Sequence, residues 1–293
     1  MPIFTGAGTA IVTPFGQDGE INFDMFEKLI EFQIAEGINA IIICGTTGES
    51  STLSYEERAE LVAFAVRQAR GRVPIIGGGG SNSTATSIRL CLDAQDAGAD
   101  ALLCVTPYYN KTTQKGLVAH YSAIAEAVDL PIIVYNVPAR TGLNIEPETV
   151  LALSKIDKIV GIKESAGDIV QAARMAALCG DGFEIYAGND NEVVPMLSLG
   201  AIGCISVLSN VAPKNVSNMV AKFLSGDVAG ARKMQLDAMA LIDAIFCEIS
   251  PMPIKAMLEM IGKNAGICRM PLTTLEPESV EQIKVAMSNY GLI

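Results

Sequence analysis

The chain has 293 residues, half of them apolar and 18% charged, with a formal net charge of -11. That apolar content assures a sizeable core, while the acidity argues against nucleic acid or an anionic membrane as a partner, since both need basic surface. Trp is absent and aromatics are only 5%, with Ala, Ile, Val and Gly prominent, a composition suited to buried parallel strands covered by helices.

From the N-terminus onward, an apolar strand-like run followed by an amphipathic helical stretch recurs about every 25 to 30 residues, the size of one βα unit. The runs at 8–13, 40–44, 74–77, 101–105, 131–135, 159–163, 184–187 and 203–207 are the predicted strands. Helices are predicted between them, for example at 24–36, 55–70 and 84–97. The third of these starts at Ser81-Asn82-Ser83-Thr84 and stops at Gly98. Eight units in about 225 residues predict an α/β fold of the (β/α)8 TIM-barrel type. A doubly wound open sheet is the competing architecture. It calls for a glycine-rich nucleotide turn after the first strand, which Val12-Thr13-Pro14-Phe15 is not. Beyond residue 226 the strand signal stops and three helices are expected, at 227–248, 252–262 and 276–288. The expected division is therefore a barrel over 1–225 and a C-terminal helical extension over 226–293, packed on the barrel.

Seven cysteines are scattered without a C-x-x-C pair, several of them inside apolar strands where a thiol acts as a small hydrophobe. With no signal peptide, a reducing cytoplasmic setting is expected. The longest apolar runs are too short to span a bilayer.

Active sites of such barrels form where the strands end. Lys163 closes the apolar run Ile159-Val160-Gly161-Ile162. Desolvation there disfavours its ammonium form, and a neutral amine condenses with carbonyl compounds. On position alone a strand-end lysine reaching into water is the simpler account, but the neighbouring strand ends outweigh it. Strand two delivers Gly45-Thr46-Thr47-Gly48-Glu49-Ser50, whose amides and hydroxyls suit a carboxylate or merely cap a turn. Strand four delivers Tyr108-Tyr109, which would be interface aromatics bringing a tyrosine in from a neighbouring subunit. Strand five delivers Tyr135, a proton carrier if another hydroxyl polarises it, and Arg140, able to hold a carboxylate in a two-pronged contact. Lys255, in Pro253-Ile254-Lys255-Ala256, is the only other lysine in apolar company. It reads as a helix position whose long stem carries its charge outward.

Other signals are weaker. Gly77-Gly78-Gly79-Gly80 lacks a phosphate-loop pattern and reads as close backbone approach at a strand end. His120 is the sole histidine and reads as structural, which excludes multi-histidine zinc sites. Glu56-Glu57 and Asn189-Asp190-Asn191-Glu192 read as solvated surface. No metal and no cofactor are expected, the lysine itself serving as electron sink through an iminium.

Taken together, Gly45-Thr46-Thr47-Gly48-Glu49-Ser50, Pro107-Tyr108-Tyr109-Asn110, Tyr135 through Gly142, and Gly161-Ile162-Lys163-Glu164-Ser165 resemble the pyruvate-dependent class I aldolases, the family of dihydrodipicolinate synthases and N-acetylneuraminate lyases. The resemblance runs from about Phe4 to the C-terminus. It implies condensation of pyruvate with L-aspartate 4-semialdehyde in lysine and diaminopimelate synthesis, with a sugar-acid aldolase as the alternative. It also implies a homotetramer built as a dimer of dimers. Lys163 would form the Schiff base, Tyr135 act as acid and base, and Thr46 link Tyr135 to a Tyr109 from across the tight dimer interface. Thr47 would bind the pyruvate carboxylate and Arg140 that of the semialdehyde, with Gly188 and Ile205 lining the pocket. A regulatory lysine site would retain Ser50, Asn82 and Tyr108. It departs from the family pattern at Tyr55, Arg58 and Thr86, where two histidines and a glutamate are usual, so weak or absent inhibition by lysine is expected.

Overall fold

Eight short parallel strands hydrogen-bond in chain order and close on themselves in the computed structural model, which describes residues 2–293. They are β1 (Gly6–Ala10), β2 (Ala40–Ile43), β3 (Ile75–Gly78), β4 (Ala101–Val105), β5 (Ile132–Asn136), β6 (Ile159–Glu164), β7 (Glu184–Ala187) and β8 (Gly203–Ser206), with β1 pairing to both β2 and β8. Nearly every strand residue is buried, because one face meets the barrel interior and the other the surrounding helices. Alternation sorts the side chains. Ala10, Ile42, Ile76, Leu103, Ile133 and Ile205 form an inner cluster, while Ala7, Ile41, Ile75, Leu102 and Ile132 pack outward against helices. Each fully buried Ile or Leu contributes about 1.5–3 kcal/mol relative to exposure. The foot of the barrel is closed by Phe4 stacked on Tyr186, ring centres 4.4 Å apart, with the Tyr186 hydroxyl donating to the Phe4 carbonyl at 2.8 Å.

The first strand begins and ends two to three residues earlier than its apolar run predicts. Ile11 and Val12 are buried, but Val12 N–H turns to the Asn210 side chain at 3.1 Å and the Thr13 hydroxyl donates to the Gly48 carbonyl at 2.7 Å. Side-chain hydrogen bonds take over where the ladder would have continued.

Helix starts follow the local chemistry. Ser54 caps the helix Tyr55–Ala69 in a reciprocal capping box with Glu57, and Ser83 and Asp168 cap the helices Thr84–Asp96 and Ile169–Cys179. After β8 come the helix Pro213–Leu224 and then Val228–Ile245, Met252–Met260 and Pro277–Tyr290. Their apolar faces, including Leu241, Ile254, Leu258 and Met287, belong to the same continuous core as the outer faces of the strands. Gln235, buried on the first of these last three helices, donates to the Asp190 carbonyl at 2.8 Å beside β7.

Candidate active site

The strand register brings Tyr135 and Lys163 side by side, since their Cα atoms are partners across β5 and β6. Both point into the barrel. Lys163 is only 4% exposed, and its Nζ lies 4.4 Å from the centre of the Tyr135 ring. Among the described residues it has no carboxylate within ion-pair distance. Ile205 is buried in the same inner cluster. Gly188 stands against the lysine from β7. A Cβ added there would lie 1.9 Å from the Ser165 Oγ, 2.9 Å from the Glu164 carbonyl oxygen and 3.0 Å from the Lys163 Cε, so the serine hydroxyl, the β6 backbone and the lysine stem together occupy the space that a side chain would claim.

The next residue along each of the two strands points the other way. Glu164 accepts from the Asn136 amide at 3.0 and 3.2 Å and from the Ala166 N–H at 2.5 Å. Burial pushes its carboxyl up to about 7, against the opposing pull of these hydrogen bonds. The pair ties the ends of β5 and β6 together directly behind Tyr135 and Lys163.

The loop after β2 reaches the same mouth. Cys44 and Glu49, at φ 57 and 56, bracket it with left-handed turns. Thr47 is buried and Thr46 half-buried. Among the described residues the amides of Thr46 and Thr47 donate to no backbone acceptor, leaving two N–H groups free for an anion. Beneath the loop is a cavity of about 30 Å³ lined by Thr46, Ser50, Arg58, Val105 and Tyr135. The Arg58 Nη2 donates to the Gly78 carbonyl at 2.7 Å, and its buried Nε has no partner. Gly78 also lets the end of β2 pass close by, for a Cβ there would lie 2.1 Å from the Cys44 carbonyl oxygen.

Two predicted site residues stand at the rim. Arg140, on the short helix Pro138–Thr141, is exposed. Tyr109 is 90% exposed at φ 70, with Tyr108 beside it at 38%. Asn82 lines a separate recess of about 280 Å³ with Thr84, Lys111 and His120, away from the cavity that holds Ser50. His120 is buried, its Nδ1 2.9 Å from the Thr84 hydroxyl, and burial draws its pKa down. A larger concavity, about 900 Å³, opens at the opposite end, around the starts of β6 and β7, and holds none of the candidate catalytic or binding residues.

Three readings from the sequence need correction. Lys255 does not carry its charge outward. It is 3% exposed and sits 2.5 Å from the Glu49 carboxylate, its pKa drawn down by burial and held up by that carboxylate. Glu57 is not simply solvated, since it pairs with the Arg269 guanidinium through both oxygens at 2.8 and 2.5 Å. Asp190 is 3% exposed and accepts from the Ser206 hydroxyl and from the amides of Val207 and Leu208, organising the turn after β8. The signal for Lys255 was present in its wholly apolar neighbours. Nothing local pointed to its partner.

Comparison with known proteins places the whole chain in one family. The sequence matches the Dihydrodipicolinate synthetase family over residues 3–290. It is 51% identical to 4-hydroxy-tetrahydrodipicolinate synthase of Thermoanaerobacter sp. (strain X514), over 100% of this chain and 99% of that protein. It is 50% identical to the enzyme of the same name from Acetivibrio thermocellus, again over 100% and 99%. The crystal structure of dihydrodipicolinate synthase from Thermotoga maritima superposes with a TM-score of 0.97 at 40% identity, covering 100% of both chains.

Proposed function

The chain belongs to the dihydrodipicolinate synthetase family, and from that premise we propose that it is a 4-hydroxy-tetrahydrodipicolinate synthase, condensing pyruvate with L-aspartate 4-semialdehyde in lysine and diaminopimelate biosynthesis. The observation that carries the reading is Lys163, buried beside Tyr135 with no carboxylate to hold its charge. Lys255, the other buried lysine, is engaged by Glu49 and by the Ile267 carbonyl at 2.7 Å.

In this reading the Lys163 amine adds to the pyruvate C2 carbonyl. Water leaves, and the iminium draws electrons from C3 so that a methyl proton can be lost. The enamine carbon then attacks the aldehyde. Closure of the substrate's own amine on C2 releases Lys163. Tyr135 moves the protons of these steps, connected through Thr46 to Tyr109. The free amides at Thr46 and Thr47 favour the pyruvate carboxylate in the loop, with Thr47 its main ligand, and Gly188 and Ile205 shape the pocket. Arg140 at the rim binds the carboxylate of the incoming aldehyde. Tyr109, almost wholly exposed on one chain, serves a second copy across a dimer interface, and two such dimers form a tetramer. The enzyme works in the cytoplasm; no helix among the described residues is long and apolar enough to cross a membrane.

Borohydride reduction in the presence of pyruvate tests the reaction class and the nucleophile together. The expected result is loss of activity with an adduct on the peptide containing residue 163. Modification at Lys255 instead, or at neither lysine, refutes the reading.

A further inference from the structure

Glu49 ends the Thr46–Thr47 loop in the left-handed region at φ 56, which disfavours a non-glycine residue. Such a conformation persists only where its surroundings over-determine it. The surroundings here come from the far end of the chain. Glu49 is 3% exposed; Lys255 Nζ lies 2.5 Å from its Oε1, and the Arg269 N–H donates to its Oε2 at 2.8 Å. Lys255 is fixed in turn by the Ile267 carbonyl and by the Phe15 ring, 4.5 Å below its Nζ. The Arg269 guanidinium grips the chain just beyond, donating to the Thr52 carbonyl at 3.0 Å and pairing with Glu57. The segment from Glu49 to Glu57 is therefore held at both ends by residues between 255 and 269.

We propose that Lys255 and Arg269 are positioning residues, forming a clamp that acts through Glu49 to set the loop so that the Thr46 and Thr47 amides face the carboxylate of the bound 2-oxo acid. The inference rests on the proposed function for the identity of that ligand. A buried ion pair adds little net stability, but stranding one partner is heavily penalised, so the pair discriminates between loop conformations. Only the one that presents Glu49 to both partners satisfies every charge. Lys255 on the helix Met252–Met260 and Arg269 in the segment after it thus govern the binding loop without touching substrate.

The test compares full-length Lys255→Met, Glu49→Gln and the combined variant with the unsubstituted chain. Melting temperature, hydrogen exchange over residues 44–54 and steady-state kinetics with pyruvate are measured for each. Each single substitution strands one buried group and lowers the melting temperature. The combined variant removes both charges and recovers much of that loss. All three lose exchange protection over 44–54, and all three show a KM for pyruvate raised about tenfold or more, with kcat changed less. A combined variant that melts like the unsubstituted chain and keeps its KM overturns the clamp, as does activity lost only in proportion to the folded fraction. If the unsubstituted chain turns over no pyruvate, the functional reading has failed. Exchange then decides alone: unchanged protection at 44–54 overturns the clamp and deprotection upholds it.

Discussion

Glu164 makes the chain's stability depend on pH in a direction opposite to most carboxylates. Its folded-state value is raised from 4.5 to about 7, chiefly by burial, so the folded chain holds the proton more tightly than the unfolded chain. The stability this confers is complete below pH 4.5 and is lost as pH rises through 7. Converted at about 1.4 kcal/mol per pH unit, the loss is roughly 3 kcal/mol by pH 8. Glu164→Gln keeps the shape and cannot ionise. It also places a donor against the Asn136 amide that now gives a 3.0 Å hydrogen bond, a pH-independent penalty of about 1 kcal/mol. The variant should therefore be about as stable as the unsubstituted chain near pH 5, where ionisation of the unfolded chain already offsets the penalty, and more stable by about 2 kcal/mol near pH 8. Urea denaturation of both proteins at half-unit steps from pH 5 to 8.5 measures the difference. Parallel curves would refute the assignment of a buried, proton-retaining carboxyl behind Lys163.

Gly188→Ala should lower kcat/KM by about a hundredfold while the chain still folds, because the added methyl would overlap the Ser165 hydroxyl and crowd both the Glu164 carbonyl and the Lys163 stem; a variant trapped by pyruvate and borohydride at the unsubstituted rate would contradict this. Tyr135→Phe keeps the ring under the lysine but removes the hydroxyl, and the turnover rate should fall by about two or more orders of magnitude. Full activity would take Tyr135 out of the proton transfers. Arg140→Ala should raise the KM for the semialdehyde about 10- to 100-fold, the worth of one charge-assisted hydrogen bond, and leave that for pyruvate nearly unchanged. Lysine should inhibit weakly or not at all, since Arg58 puts a cation beside Ser50 where a ligand ammonium would need an acid. Half-inhibition at sub-millimolar lysine in a steady-state assay would refute that expectation.

The barrel was legible because parallel strands buried on both faces leave continuous apolar runs. Ala101–Val105 and Glu184–Ala187 could be read directly, and the end of each run marked the mouth. Lys163 was legible for the same reason, as a charge placed where an apolar run stops. The end of β1 is not legible locally, because Ile11 and Val12 are as apolar as strand residues and the Asn210 side chain that takes the Val12 N–H lies 198 positions away. The grip on Glu49 was equally invisible, since Arg269 lies 220 positions along the chain and no local pattern couples them. The rim around Tyr109 was legible only through resemblance, because a tyrosine in a polar loop carries no period or cap to mark its use.

The stacked Phe4 and Tyr186 rings turn the barrel into a blind well. With that end plugged, access to Lys163 is left to the end where the strands finish, the side of Arg140 and Tyr109. On the proposed mechanism nothing could approach a nucleophilic carbon held on Lys163 from underneath, so a change at the rim would decide whether that carbon meets an aldehyde or a stray proton.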